Sequence, residues 1–162
     1  MSTASQKYIQ LIRANEGLIY KVASMYTNSR EDREDLSQEI AFQIWRSFET
    51  FKAQSSFSTW MYRIALNTAI QFLRKEKRKV KSSSLGNAMH EIISENRVPS
   101  NPKMERILLV AQTMKQLDKG ILLLYLEGFN HKEIAEILGI STTNVGTRMQ
   151  RIRERLKKKL NE

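Results

Sequence analysis

The chain has 162 residues, 41% of them hydrophobic, enough to bury one or two small cores and too many for a disordered tail. Lys and Arg number 27 against 17 Asp and Glu, a formal charge of +10 that favours a polyanionic partner. With no cysteine and only two histidines, His90 and His131, disulfide frameworks, thiolate zinc sites and cysteine nucleophiles are excluded, and a histidine-rich metal centre lacks ligands.

The N-terminus, MSTASQKYIQLIRANEG, has no charged segment followed by an apolar one, so no signal peptide is read and a cytoplasmic location is expected. Between Gln6 and Thr27, apolar Tyr8, Ile9 and Ile12, then Leu18, Ile19, Val22 and Tyr26, recur at helical spacing. The pattern breaks near Asn15 to Gly17, which predicts two short helices. From Glu31 to Phe48, Leu36, Ile40, Ile44 and Phe48 repeat every fourth residue, with Ala41 and Trp45 widening the stripe into an amphipathic helix. A polar loop follows, and Ser55 to Thr59 supply N-cap candidates for a long helix. Trp60, Met61, Ile64, Ala65, Thr68, Phe72 and Leu73 would line one face of it.

That helix runs into the first of two basic runs: six Lys and Arg against one Glu between Arg74 and Lys81. The second has seven against one between Arg148 and Lys159. Fourteen basic and fifteen acidic residues remain elsewhere, so these two runs carry the whole excess. Solvated helix ends with favourable dipoles are the plainer explanation; two runs in one short chain favour contact with a polyanion. A membrane-surface role would require bulky apolar residues opposite the basic face, and the C-terminal helix has a narrower stripe suited to core packing.

Ser82 to Ser84, Gly86, Asn87, Pro99 and Pro102 mark Val80 to about Lys103 as a flexible linker, and divide the chain into lobes of residues 1–80 and 104–162 around a linker of 81–103. Beyond it, Ile107, Leu108, Val110, Ala111 and Met114 predict one helix, and Lys119 to Glu127 a second, closed by Gly128. The run Ile121 to Leu126 is the longest apolar stretch and falls far short of the roughly 20 residues that cross a bilayer, so no membrane insertion is expected. Asn130 to Glu133 has the form of a capping box opening a short helix. Gly139-Ile140-Ser141 then makes a turn into a long basic helix from Thr142 to about Leu160. Short helix, three-residue turn and second helix are the signature of a helix-turn-helix. In the last helix Val145, Met149, Ile152, Leu156 and Leu160 form the stripe to be buried. At about 100° per residue, Thr143, Asn144, Thr147, Gln150 and Arg151 fall opposite, with Arg148 and Arg155 on the flank. Such side chains read base edges in the major groove, and flanking arginines hold phosphates. The expected fold is therefore all-α, two small helical lobes joined by a linker.

The stretch from His131 to Lys158, HKEIAEILGISTTNVGTRMQRIRERLKK, resembles the region-four helix-turn-helix of extracytoplasmic-function sigma factors, group IV of the sigma-70 family. The stretch from Asp32 to Arg78 is similar to their region two, with Asp32-x-x-Asp35-Leu36-x-Gln38-Glu39 and Phe57-x-Thr59-Trp60-x-Tyr62-Arg63-Ile64-Ala65-x-Asn67 as its more specific motifs. The resemblance implies an alternative sigma factor that binds core RNA polymerase and both double-stranded and melted promoter DNA, with no catalysis and no cofactor or metal of its own. It implies that Asp35, Leu36, Gln38, Glu39, Phe42 and Trp45 dock on the clamp coiled coil of the largest polymerase subunit. The loop from Ser47 to Ser56 would capture a flipped minus-10 base with Lys52, Gln54 and Ser55, a transaction suited to melted DNA, where unstacking costs a few kcal/mol. Arg63, Asn67, Arg74 and Lys75 would grip the melted strand, with Trp60 and Phe57 in the core. Thr143, Asn144, Thr147, Arg148, Gln150, Arg151 and Arg155 would contact the minus-35 element. An anti-sigma factor is a further partner that the family commonly has. Gly146 departs from the pattern, standing where the family usually has Lys or Arg, and costs about 1 kcal/mol of helix stability relative to Ala. A helix-turn-helix regulator that does not bind polymerase is the alternative. An enzyme that uses the motif only for targeting finds no Walker loop, nucleophile elbow or metal spacing to support it.

Overall fold

The computed structural model describes residues 3–52, 54–80 and 101–162, with the backbone alone for 77–80. The chain divides into two compact units, Met1–Lys81 and Ser82–Glu162. Among the described residues every regular element is helical. The expected linker of 81–103 lies outside them up to residue 100.

In the first lobe, α1 (Thr3–Ala14) and α2 (Glu16–Tyr26) are separated at Asn15, whose side-chain amide donates to the Leu11 carbonyl at 2.7 Å. Helix α3 (Arg30–Ser47) starts one residue before its expected position because Ser29, in extended conformation, accepts the Asp32 N–H on its hydroxyl at 3.0 Å. Glu31 and Asp32 then place negative charge on its first turn. A 3-10 turn (Phe48–Thr50) leads to a loop, and α4 (Phe57–Val80) begins where Ser56 caps the Thr59 N–H at 3.2 Å.

Leu36, Ile40 and Ile44 form a fully buried line on α3, against Val22 and Ala23 of α2 and Met61, Ala65, Leu66 and Ala69 of α4, each 0% exposed. Alanines in this core let helix axes approach closely. The buried arc of α4 is turned relative to the expected face. Tyr62, Leu66 and Ala69 are buried, whereas Trp60, Ile64, Phe72 and Leu73 are only partly covered. Helix α4 packs on α2 and α3 together, so it needs a wider arc than one neighbour would require. Trp45 is the other departure: it is 46% exposed rather than part of the buried stripe, since three residues at i, i+4 spacing already satisfy the contact of α3.

In the second lobe, α5 (Pro102–Ala111) begins inside the segment expected to be linker. Asn101 accepts the Lys103 N–H at 3.0 Å, and Pro102 occupies the first helical position, where its missing N–H costs nothing. Met114, expected on this helix, is buried in the turn after it. Helix α6 (Gln116–Leu126) starts three residues earlier than expected, because Lys115 turns the chain without any side-chain cap that a sequence would advertise. Ile121 to Leu124 are all 5% exposed or less, so α6 is the central helix, apolar around most of its girth. Helix α7 (His131–Leu138) has the complete capping box. Asn130 accepts from the Glu133 N–H at 2.9 Å, and the Glu133 carboxylate accepts from the Asn130 N–H at 2.9 Å. Helix α8 (Thr142–Leu160) is capped by Ser141, which accepts the Asn144 N–H at 3.0 Å.

The turn between α7 and α8 depends on Gly139, at φ +70° and ψ +35°, a left-handed conformation in which a β-carbon is strained. Gly146 is different. It lies inside α8 without a positive φ, and a β-carbon there would meet only the His131 Nδ1 at 3.9 Å, an ordinary contact. Nothing in the packing requires glycine at 146. Gly146→Ala should therefore stabilise the second lobe by about 1 kcal/mol, and Gly139→Ala should destabilise it by a similar amount, about 1 kcal/mol. Denaturant melts of the two variants, followed by circular dichroism, check both signs.

Candidate functional site

Two surfaces concentrate side chains that the folds leave outside their cores, one in each lobe. On α3, the buried line of Leu36, Ile40 and Ile44 forces Asp35, Gln38, Glu39, Phe42 and Trp45 outward, and all five are exposed. Phe42 is 55% and Trp45 46% exposed, two large apolar side chains on the same helix face as the Asp35 and Glu39 carboxylates. The face is preorganised. The Trp45 ring packs edge-on against Tyr8 of α1 at 4.8 Å, and the Tyr8 hydroxyl donates to the Ala41 carbonyl at 2.7 Å. Partial burial raises the pKa of that hydroxyl, which keeps it a donor. Glu39 accepts from the Gln43 amide at 2.9 Å. Leu36, expected among the docking residues, is fully buried in this lobe, where it helps set the rotation of α3.

Below this face, Tyr8, Phe48, Phe57, Phe51 and Trp60 continue as a chain of edge-on and tilted ring contacts, with centroids 5.1–6.4 Å apart. These rings come from α1, the 3-10 turn, the loop and the start of α4. They form one aromatic floor that includes Phe51, from the loop that also carries Lys52, Gln54 and Ser55; Lys52 and Gln54 are exposed and Ser55 is half-buried. Phe57 and Trp60, expected in the core, are half-buried members of this floor. Phe51 was not singled out by sequence reasoning, although an aromatic beside Lys52 in a polar loop was the available signal. Along α4, Arg63, Asn67 and Arg74 are exposed within about 40° of one line, and Lys75 is exposed about 100° further round.

In the second lobe, Val145, Met149 and Ile152 are buried and Leu156 and Leu160 half-covered, which turns Thr143, Thr147, Gln150 and Arg151 to solvent. Thr147 donates back to the Thr143 carbonyl at 3.1 Å, whereas no described residue pairs with Gln150 or Arg151. The flank is occupied. Arg148, expected to be available, donates to Asp118 of α6 at 2.9 Å and to the Asn144 side chain at 2.9 Å. Arg155 donates to the Thr113 hydroxyl at 2.7 Å. On the other side of α8, Arg153 lies over the Tyr125 ring at 5.1 Å and donates to its hydroxyl at 3.1 Å. Neither Arg153 nor Tyr125 was singled out from the sequence; both belong to partnerships between helices that a linear pattern does not display. The result is a polar, cationic face held on both flanks, of a size and chemistry suited to the major groove. Among the described residues no group of His, Asp and Glu is arranged to hold a metal, and no helix is long and apolar enough to cross a membrane.

Residues 11–79 match the family described as Sigma-70 region 2, and residues 104–156 match Sigma-70, region 4. The chain is 30% identical over 154 residues to an ECF RNA polymerase sigma-E factor of Haemophilus influenzae, covering 86% of this chain and 82% of the relative. It is 29% identical over 155 residues to the protein of the same name in Escherichia coli, covering 87% and 81%. Among solved structures, it is similar in fold to the sigma factor RpoE of Bartonella quintana, crystallised with the anti-sigma factor NepR, with a TM-score of 0.78, 18% identity and coverage of 96% and 98%. CnrH, solved in complex with the cytosolic domain of CnrY, gives a TM-score of 0.68 at 18% identity and coverage of 97% and 89%. With a region 2 and a region 4 in that order, and with relatives alike over most of both chains, the protein belongs to the extracytoplasmic-function sigma factors of the sigma-70 family.

Proposed function

We infer that the protein is an alternative sigma factor, which binds core RNA polymerase and directs promoter-specific initiation of transcription. The observation that carries this reading is the exposed acidic and aromatic face of α3 in the same chain as a helix-turn-helix with an exposed polar face. A DNA-binding regulator would use the second of these surfaces and has no need of the first. Region 2 also supplies the melted-strand elements: the aromatic floor, the loop with Lys52, Gln54 and Ser55, and the line of Arg63, Asn67 and Arg74. Lys75 contributes further charge beside that line.

The division of labour follows from chemistry. Asp35, Gln38, Glu39, Phe42 and Trp45 form the polymerase-docking face, where Phe42 and Trp45 supply apolar area and the carboxylates supply orientation and steering. Thr143, Asn144, Thr147, Gln150 and Arg151 face base edges of the minus-35 element, with the terminal lysines nearer the phosphates. The protein has no catalysis of its own and acts where polymerase does, in the cytoplasm. An anti-sigma factor is a further partner, as it is for the RpoE of Bartonella quintana, similar in fold and solved with the anti-sigma factor NepR.

Asp35→Lys combined with Glu39→Lys should weaken co-purification with core polymerase at least about tenfold while the lobe stays folded, since both positions are exposed. Undiminished capture of the folded double variant, together with run-off transcription from a promoter library, would remove this face from the interface. For the second lobe, Arg151→Ala should cost roughly 1 to 3 kcal/mol on the preferred minus-35 sequence and blur discrimination at one base. Replacing Lys157, Lys158 or Lys159 should weaken all sequences alike, lowering the salt slope by about 0.9 for each phosphate no longer neutralised. Titrations of cognate and scrambled promoters at several salt concentrations separate the two; equal losses for Arg151→Ala would make Arg151 a phosphate ligand.

A further inference from the structure

We propose that Asp118 and Arg148 are positioning residues that fix the Asn144 carboxamide with its amino group toward DNA, so that Asn144 reads a base edge only as a hydrogen-bond donor. The proposal rests on the reading of α8 as the helix that meets the minus-35 element, and names how one of its residues discriminates.

Asn144 is the third residue of α8, in the N-terminal turn of the recognition helix, where base edges are met. Its Oδ1 accepts from the Nε of Arg148 at 2.9 Å. A guanidinium has five N–H donors and no acceptor, so the side-chain atom facing it is the oxygen and the amino group is the other end. Arg148 lies one turn further along α8, which draws the carbonyl end of Asn144 along the helix, and no described residue takes its amino group. Arg148 is itself held: one terminal nitrogen donates to the Asp118 carboxylate at 2.9 Å, with the two side chains only 30% and 22% exposed. A charge-assisted bond in that partly buried position is stronger than a surface ion pair. Asp118 sits in the first turn of α6, so Arg148 is anchored to the central helix and not to α8 alone.

The consequence is chemical. An asparagine that reads adenine in the usual way uses both ends of its amide, accepting from N6 and donating to N7. With its oxygen turned toward Arg148, the carboxamide no longer lies edge-on with both ends toward one base, so although the oxygen keeps a second lone pair, Asn144 presents its amino group, which suits guanine N7 or O6, adenine N7 and thymine O4. Cytosine, which presents an N4 amino donor, is rejected. Arg148, meanwhile, is withdrawn from phosphate binding.

The test uses the full-length protein with core polymerase and a library randomised across the minus-35 region. The position read by Asn144 is the one whose preference disappears in Asn144→Ala. There, replacing a purine by its 7-deaza analogue should cost about 5- to 10-fold, and cytosine should be disfavoured by a similar factor. Removing the exocyclic amino group of adenine should cost nothing. Asp118→Ala should relax the rejection of cytosine about fivefold at that position alone, and Asp118→Asn, which keeps an acceptor oxygen, should retain most of it. A purely structural role for Asp118 would instead lower the melting temperature and weaken every promoter equally. In the free protein, the Arg148 Nε–H should give a slowly exchanging nitrogen-15 resonance that Asp118→Ala abolishes. Preference unchanged in Asp118→Ala, no position altered in Asn144→Ala, or dependence on the adenine amino group overturns the proposal. A protected Arg148 signal in a protein with no minus-35 preference overturns the assignment of α8 to DNA and the proposal with it, whereas intact promoter selection without that signal overturns the relay alone.

Discussion

Burial of Val145, Met149 and Ile152 fixes the rotation of α8 about its own axis, and everything the second lobe can present to DNA follows from that angle. A stripe at four- and three-residue spacing must face the central helix α6 and the preceding α7, and the residues about 180° away are then delivered to solvent with no further instruction. Gly139 supplies the left-handed step that lets α7 and α8 meet at all, and the capping box at Asn130 and the Ser141 cap fix where each helix begins. Packing density does the rest, because a core this small has no room for a rotated alternative.

The same logic governs the first lobe with a different outcome. Three residues of α3 suffice for its core contact, which leaves a broad face free, and the sequence fills that face with two carboxylates, Phe42 and Trp45. Apolar side chains at this exposure are tolerated because Trp45 leans on Tyr8, whose hydroxyl is tied to the α3 backbone. The aromatic chain that starts at this pair runs through Phe48 and Phe57 to Phe51 of the loop and Trp60. Surface and loop are therefore built on one continuous set of ring contacts, each worth about 0.5–1.5 kcal/mol beyond the area it buries.

Charge is used differently in the two halves of α8. Arg148, Arg153 and Arg155 spend hydrogen bonds on Asp118, Tyr125 and Thr113, which pins the helix to its lobe. Arg151 and the lysines at 157 and 158 have no such partner among the described residues and keep their charge for a polyanion. A basic run that looks uniform in composition is thus split between scaffold and ligand contact.

The sequence alone determined the helix count of each lobe, the helix-turn-helix with its caps, and the polar face of α8, because helical periodicity, capping residues and glycine turns act over three to seven neighbours and are written locally. Local order also exposed the two basic runs and the motifs of region 2. Tertiary structure alone decided that Trp45 lies outside the buried stripe of α3, that the buried arc of α4 reaches Tyr62 and Leu66, and that Pro102 opens a helix. It also decided that Arg148 belongs to Asp118, 30 residues away, and only incidentally to its own helix face. Each of these depends on which neighbour arrives opposite a residue, and how much of a helix's girth that neighbour covers is set by packing between helices distant in sequence.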